Sequence, residues 1–233
     1  VTAGTGNPTT LHWNDPFGAS ANDYDLYRMN GTLTAVLDSS TNVQNGNDDP
    51  FEIMGGPATG DRIVVIQHAG AANRVLNLAT NRGRLDSTLA TAGNVRGHNG
   101  SNTTVSVSAT PAAGPFGSPP NPTGPYPSPF NATNQAELFT SDGPRRMYFD
   151  FAGNFLPGAP VGNYTFAGGV VFQKPDLTAA DGVMTAAPGF NPFYGTSAAA
   201  PHAAAIAALV KHAFPAMTNT QIRNAMTTNA IDI

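Results

Sequence analysis

Gly195-Thr196-Ser197-Ala198-Ala199-Ala200-Pro201-His202, running on into Ala203-Ala204-Ala205-Ile206-Ala207-Ala208-Leu209-Val210, puts a serine where loop turns into helix. The alanine run predicts a helix over about 197–213, since alanine is the strongest helix former. Ile206, Leu209 and Val210 are spaced to face one side, and the small residues permit close packing, so this helix is expected to be central. A serine at its start has an exposed hydroxyl beside unpaired N–H groups and the positive end of the helix dipole, a setting that can stabilise an oxyanion. Gly195 allows close approach of another backbone, and Pro201, lacking an N–H, fits best within the first turn. Taken alone, Ser197 would be a helix cap and the alanines merely helix formers.

Downstream, Thr218-Asn219-Thr220-Gln221 has the spacing in which a capping threonine and the third residue after it satisfy each other's N–H groups. A second helix is expected there, with Ile222, Met226 and Ala225 facing inward. Upstream, residues 9–89 alternate short β-rich runs with Gly, Asn and Asp clusters, at 9–13, 24–29, 33–37, 51–54, 63–68 and 75–79. That pattern predicts an antiparallel sandwich. Asn30-Gly31 between two runs predicts a tight hairpin turn, because both residues tolerate positive φ. From Gly97 onward, strands are expected at 104–109, 136–140, 147–151, 170–172 and 176–179. Pro111, Pro115, Pro119, Pro120, Pro122, Pro125, Pro127 and Pro129 interrupt regular hydrogen bonding and predict an extended surface loop over 111–134.

Composition narrows the function. The 233 residues carry 11% charged side chains, against about a quarter in typical domains, with 25 glycines and 20 prolines. A net charge of -4 offers no basic stripe for a phosphate backbone. The longest apolar run, 203–210, is far shorter than the roughly 20 residues of a spanning helix. Without cysteine there is no disulfide framework, thiol nucleophile or thiolate metal site. The start at Val1, without a leader, suggests that an upstream segment is cleaved off or lies on another chain.

The octapeptide, its alanine-rich helix and the capped helix at Thr218 together resemble the end of the catalytic domain of subtilases, the subtilisin-like serine peptidases. The family's Gly-Thr-Ser-x-Ala-x-Pro-His signature matches Gly195 to His202 at every fixed position. Phe139-Thr140-Ser141-Asp142-Gly143-Pro144 resembles the segment after the family's oxyanion-side strands, and Lys174-Pro175-Asp176-Leu177-Thr178-Ala179 its Lys-Pro-Asp strand. The resemblance implies an α/β fold for residues 91–233, the C-terminal part of a parallel-sheet catalytic domain. Residues 1–90 resemble an all-β sandwich insertion carried by some bacterial subtilases. It implies that Ser197 is the nucleophile and its N–H an oxyanion donor, with Thr196 supporting and Gly195 admitting the substrate. A secreted or extracellular bacterial peptidase acting on polypeptides is expected, with no cofactor required.

The Asp-Thr-Gly-like strand and His-Gly-Thr helix start that family members carry upstream are missing from these residues. Serine is a weak nucleophile until a histidine oriented by a carboxylate accepts its proton. His202 lies more than a helical turn beyond Ser197 and is rotated away. His12 and His68 fall in expected strands as satisfied imidazoles, and His212 near a helix end, where a cation suits the dipole. His98, in the turn Gly97-His98-Asn99-Gly100, is the least implausible substitute, in surroundings unlike the family's base. The triad Asp and His are therefore expected on an N-terminal part of the same peptidase, leaving this chain alone inactive. Thr91-Ala92-Gly93-Asn94 offers Asn94 as an oxyanion asparagine. The stretch before it lacks the apolar run of a buried parallel strand, which puts the true segment upstream.

Asp15, Asn22, Asp23, Asp25, Asp48 and Asp49 could bind a structural Ca²⁺, although Asn and Asp are also simply preferred in turns. Sequons at Asn30, Asn99, Asn102, Asn131 and Asn163 have meaning only on a eukaryotic secretory route. The alternative function is a non-catalytic adhesion or carbohydrate-binding protein that uses the sandwich, with the peptidase remnant as scaffold.

Overall fold

The computed structural model describes residues 1, 7–81, 83–117, 121–127, 129–150, 152–157 and 168–233. Pro119, Pro120, the Phe151 end of the expected 147–151 strand and the Asn163 sequon lie outside them. The chain forms two compact units, one of Val1–Asn94 with Arg146–Val171, the other of Val95–Arg145 with Phe172–Ile233. Strands predominate, with two helices among the described residues.

In the first unit, β1 (Thr9–Trp13), β2 (Tyr24–Met29), β3 (Val36–Ser40), β4 (Phe51–Met54), β5 (Arg62–Gln67) and β6 (Leu76–Ala79) build two three-stranded antiparallel sheets. Their orders are β4-β1-β6 and β3-β2-β5. Side chains two apart share a face of a strand, so Leu11 and Trp13 of β1 and Tyr24 and Leu26 of β2 enter one core with Met54. Ile63, Val65 and Leu78 close it at the edge. The buried indole of Trp13 donates to the Ser20 hydroxyl, which donates to Asp15, so the polar atom carried into the core is satisfied.

The tight Asn30-Gly31 turn is corrected by the structure. Asn30 Oδ1 accepts the N–H groups of Thr34 and Ala35, holding open a loop whose left-handed residue is Leu33, at φ 59°. The next strand is thereby displaced from 33–37 to Val36–Ser40.

In the second unit, β7 (Val107–Pro111) is the edge on which the later elements assemble. Pro111, expected to open the irregular loop, ends this strand instead, opposite Asp181. The segment 136–140 is no strand: Glu137 donates its N–H to Ala109, and Thr140 turns back on Glu137. β8 (Arg145–Met147) and β9 (Val170–Phe172), which lie mostly in the first unit, form a two-stranded sheet. β10 (Leu177–Asp181) pairs with β7 in parallel, from Leu177 opposite Val107 to Asp181 opposite Pro111. Helix α1 (Thr196–Ala213) lies across both strands and α2 (Asn219–Thr228) against α1.

The face α1 buries carries Ala198, Ala199 and Ala203. Contrary to expectation, Ile206 and Leu209 are 51% and 68% exposed, so the helix is covered on one side and not central among the described residues. Pro201 stands in the second turn rather than the first, where it withdraws the N–H that would meet the Ser197 carbonyl. The capping box forms as read: Thr218 accepts from the Gln221 amide, and the Gln221 side chain accepts from the Thr218 N–H. Thr218→Ala is expected to cost about 1 kcal/mol in thermal unfolding, the usual worth of a side-chain cap.

Two sequence segments singled out above meet here. A Cβ on Gly143 would lie 1.6 Å from the Lys174 carbonyl oxygen, so only glycine fits. Just beyond, Lys174 Nζ donates to Asp176 Oδ2 (2.7 Å) and to the Thr104 carbonyl (2.6 Å). The Ser106 N–H also donates to Oδ2 (2.7 Å), while Arg223 of α2 takes Oδ1. This buried cluster ties the start of β10 to the last helix.

Candidate active site

Ser197 is the second residue of α1 and is exposed. The turn before it depends on Gly195, whose φ of 110° and ψ of 163° lie in a region essentially reserved for glycine. The Gly195 carbonyl accepts the N–H groups of Ala198 (2.8 Å) and Ala199 (3.2 Å), closing the first turn. The amides of Thr196 and Ser197, ahead of those bonds, belong to the open N-terminal end, where partial positive charge gathers. A negatively charged oxygen beside Ser197 would meet that charge. Gly195→Ala, with open space for its methyl but a strained backbone, is expected to cost about 1–3 kcal/mol in thermal unfolding.

The loop from Gly182 to Gly195 is closed on itself. Val183 and Phe193 exchange backbone hydrogen bonds at 3.2 and 2.8 Å. The Tyr194 ring packs over Gly182, where a Cβ would stand 2.9 Å from it, and lies 5.2 Å from the Phe116 ring. At the loop's root, Asp181 accepts the Gly195 N–H on Oδ2 (2.8 Å). Asp181 is 0% and Glu137 2% exposed. Burial raises the pKa of each carboxyl above the ordinary range, and the charge of Asp181 raises that of Glu137 further. Neither residue was among the sequence candidates. The available signal was a carboxylate placed between Ala180 and Gly182 at the end of an apolar strand, where burial makes an acid costly.

The histidines are dispersed. The His202 ring turns back along its helix, Nδ1 standing 2.7 Å from the Ala198 carbonyl oxygen. His212 lies in the last turn of α1, and His98 in an exposed 3₁₀ turn, Gly97–Gly100. In the first unit, His12 rests on Phe51 with ring centroids 4.5 Å apart. His68 lies just past β5, exposed rather than partly buried, with Nε2 2.8 Å from Asp25 Oδ2, a bond that raises its pKa. Among the described residues no histidine is hydrogen-bonded to Ser197. Asn94 ends the first unit and Ser197 belongs to the second.

The six proposed calcium ligands do not form one oxygen cage. Asp15 pairs with Arg74 (2.5 Å), Asp49 accepts the Gly18 N–H (2.8 Å), and Asp48 the Asn45 N–H (3.2 Å). Among the described residues, the acidic and histidine side chains that do converge are Asp23, Asp25 and His68, with ligand atoms within 4.8 Å of one another. That set includes a nitrogen donor, unlike the oxygen shell calcium takes.

Comparison with known proteins gives one family match. The model described as the Subtilase family aligns with residues 56–232, well over half of the chain, taking in β5 and β6 as well as the second unit. No curated protein matches, and no solved structure does.

Proposed function

Since the chain belongs to the subtilase family, whose members are serine peptidases, we propose that it is the serine-bearing part of a subtilisin-type endopeptidase. Peptide bonds would be cleaved through an acyl-enzyme on Ser197. The observation that carries this reading is the Gly195–His202 turn, which presents an exposed Ser197 at a helix start within the family match.

In the proposed reaction Ser197 Oγ attacks the substrate carbonyl, and the carbonyl oxygen becomes negative. The Ser197 N–H donates to that oxygen, Thr196 supports the turn, and Gly195 leaves room for the peptide. A histidine, oriented by an aspartate, takes the serine proton and returns it to the leaving amine. Both come from an N-terminal part of the same peptidase, in keeping with the dispersed histidines. The bare Ile206 and Leu209 side of α1 supports that reading, because apolar surface of this kind seeks cover. The parallel pairing of β7 and β10 beneath α1 is likewise what a piece of the subtilisin α/β sheet would contain. The two sheets of the first unit are read as the sandwich insertion, and the peptidase as a secreted bacterial protein. No cofactor enters the reaction; any calcium role is structural, and an unchanged melting temperature on chelation would count against it.

A fluorophosphonate probe applied to the intact gene product is expected to attach to Ser197, located by peptide mass analysis. The 233 residues alone should remain unlabelled. Failure of the intact product to label, with glycan binding retained, would favour the non-catalytic alternative.

A further inference from the structure

One buried carboxylate holds the turn before Ser197, and a second holds the segment whose aromatic ring packs on that turn. Asp181 ends β10 and holds Gly195, two residues before Ser197, through a 2.8 Å hydrogen bond from the glycine N–H. Glu137 is anchored on β7 by its own N–H to Ala109 and accepts the Phe116 N–H on Oε1 (2.7 Å). The Phe116 ring in turn packs on Tyr194, the residue before Gly195, and on Phe139 (5.9 Å). Each carboxylate also has one buried oxygen without a hydrogen-bond partner, Asp181 Oδ1 and Glu137 Oε2.

Orphaned buried carboxylate oxygens are costly when charged and far less so when protonated. No lysine, arginine or histidine pairs with either acid among the described residues, so no cation offsets the charge. The Tyr126 phenol is also within reach of the Glu137 charge. β7 contributes Val107, Ser108, Ala109, Thr110 and Pro111, and the start of α1 Thr196, Ser197 and Ala198, none of which titrates near neutrality. Burial is therefore the largest influence on both acids, opposed at Asp181 by the Gly195 N–H and at Glu137 by the Phe116 N–H.

We infer that Asp181 is a positioning residue for the nucleophile turn, holding the Gly195 N–H firmly as a carboxylate and more weakly once protonated. This rests on Ser197 being the nucleophile. The sign follows from burial. Because ionisation of each acid is disfavoured in the fold, the charged hold on Gly195 is complete only above the raised range and loosens as pH falls through it. Ionised Asp181 in turn disfavours ionisation of Glu137.

Tyr194-Gly195 is the one Tyr-Gly pair in these 233 residues, so carbonyl-13C tyrosine with 15N glycine isolates the Gly195 amide resonance in the intact gene product. Its shift is expected to titrate with a midpoint above the ordinary aspartate value. The titration should vanish in Asp181→Asn. The rate of fluorophosphonate labelling on Ser197 should fall on the order of tenfold in Asp181→Asn, as expected of losing a charge-assisted hydrogen bond. In the wild type the acid limb of labelling should follow the titration of the amide.

A Gly195 amide that does not titrate in the wild type, or that still titrates in Asp181→Asn, would overturn the inference. So would an unchanged labelling rate in Asp181→Asn. Should Asp181→Asn fail to fold, the wild-type titration of the Gly195 amide and the acid limb of labelling still decide. A titrating Gly195 amide in a wild-type protein that takes no label would sink the peptidase reading while leaving the Asp181 hold intact.

Discussion

Turnover of a peptide substrate by the intact gene product is expected to fall by about six orders of magnitude when Ser197 is replaced by alanine, the scale of loss when a triad serine is removed. That corresponds to roughly 8 kcal/mol of transition-state stabilisation. The missing hydroxyl takes with it the acyl-enzyme route, while the helix-start amides stay in place. Some catalysis should survive on those donors and on binding alone, roughly 10³–10⁴-fold above water. Because Ser197 is exposed and alanine is a better helix former, the melting temperature should hardly move. Initial rates at saturating peptide measure the effect, and a variant retaining within tenfold of wild-type turnover would show that another residue attacks.

The second large effect concerns stability. Asp176→Asn should destabilise the second unit by about 3–5 kcal/mol, because Lys174 is left buried without its counter-charge. The carboxylate serves three partners, the Lys174 and Arg223 side chains and the Ser106 backbone amide, and Lys174 carries the tie on to the Thr104 carbonyl. Arg223 is partly exposed and can turn to water; Lys174, with its side chain 0% exposed, cannot. The double variant Lys174→Met, Asp176→Leu should regain much of the loss, since a buried pair exchanged for apolar groups of similar size is often neutral. Denaturant unfolding tests both, and a loss under about 1 kcal/mol in Asp176→Asn would show that the charges are not sealed from solvent. As β10 runs from this cluster to Asp181, the same variant should also slow labelling of Ser197.

Local rules were legible where neighbours in sequence are also neighbours in space. β1, β2, β4 and β9 fall on the β-rich runs at 9–13, 24–29 and 51–54 and on the expected strand at 170–172. The Thr218 cap closes on Gln221 three residues away. The reading failed where a side chain reached past its immediate neighbours. Asn30 captured the amides of Thr34 and Ala35 and displaced β3. Glu137 was drawn inward by Phe116 and Ala109, so the 136–140 run could not extend. Ile206 and Leu209 form an apolar face on paper, yet the surface that β7 and β10 offer is met by the alanines, whose small side chains let the backbones approach.

The sequence alone determined the Gly195–His202 turn, its helix and its family, because a turn that needs Gly195 and a helix that begins at Thr196 are written in adjacent residues. Only the tertiary structure decided what holds that turn. Asp181 lies 14 residues before Gly195, and the pairing of β10 with the distant β7 fixes the strand end from which it reaches that turn. Whether a carboxylate is solvated and ordinary or buried and answerable to one amide depends on burial, which residue order does not express.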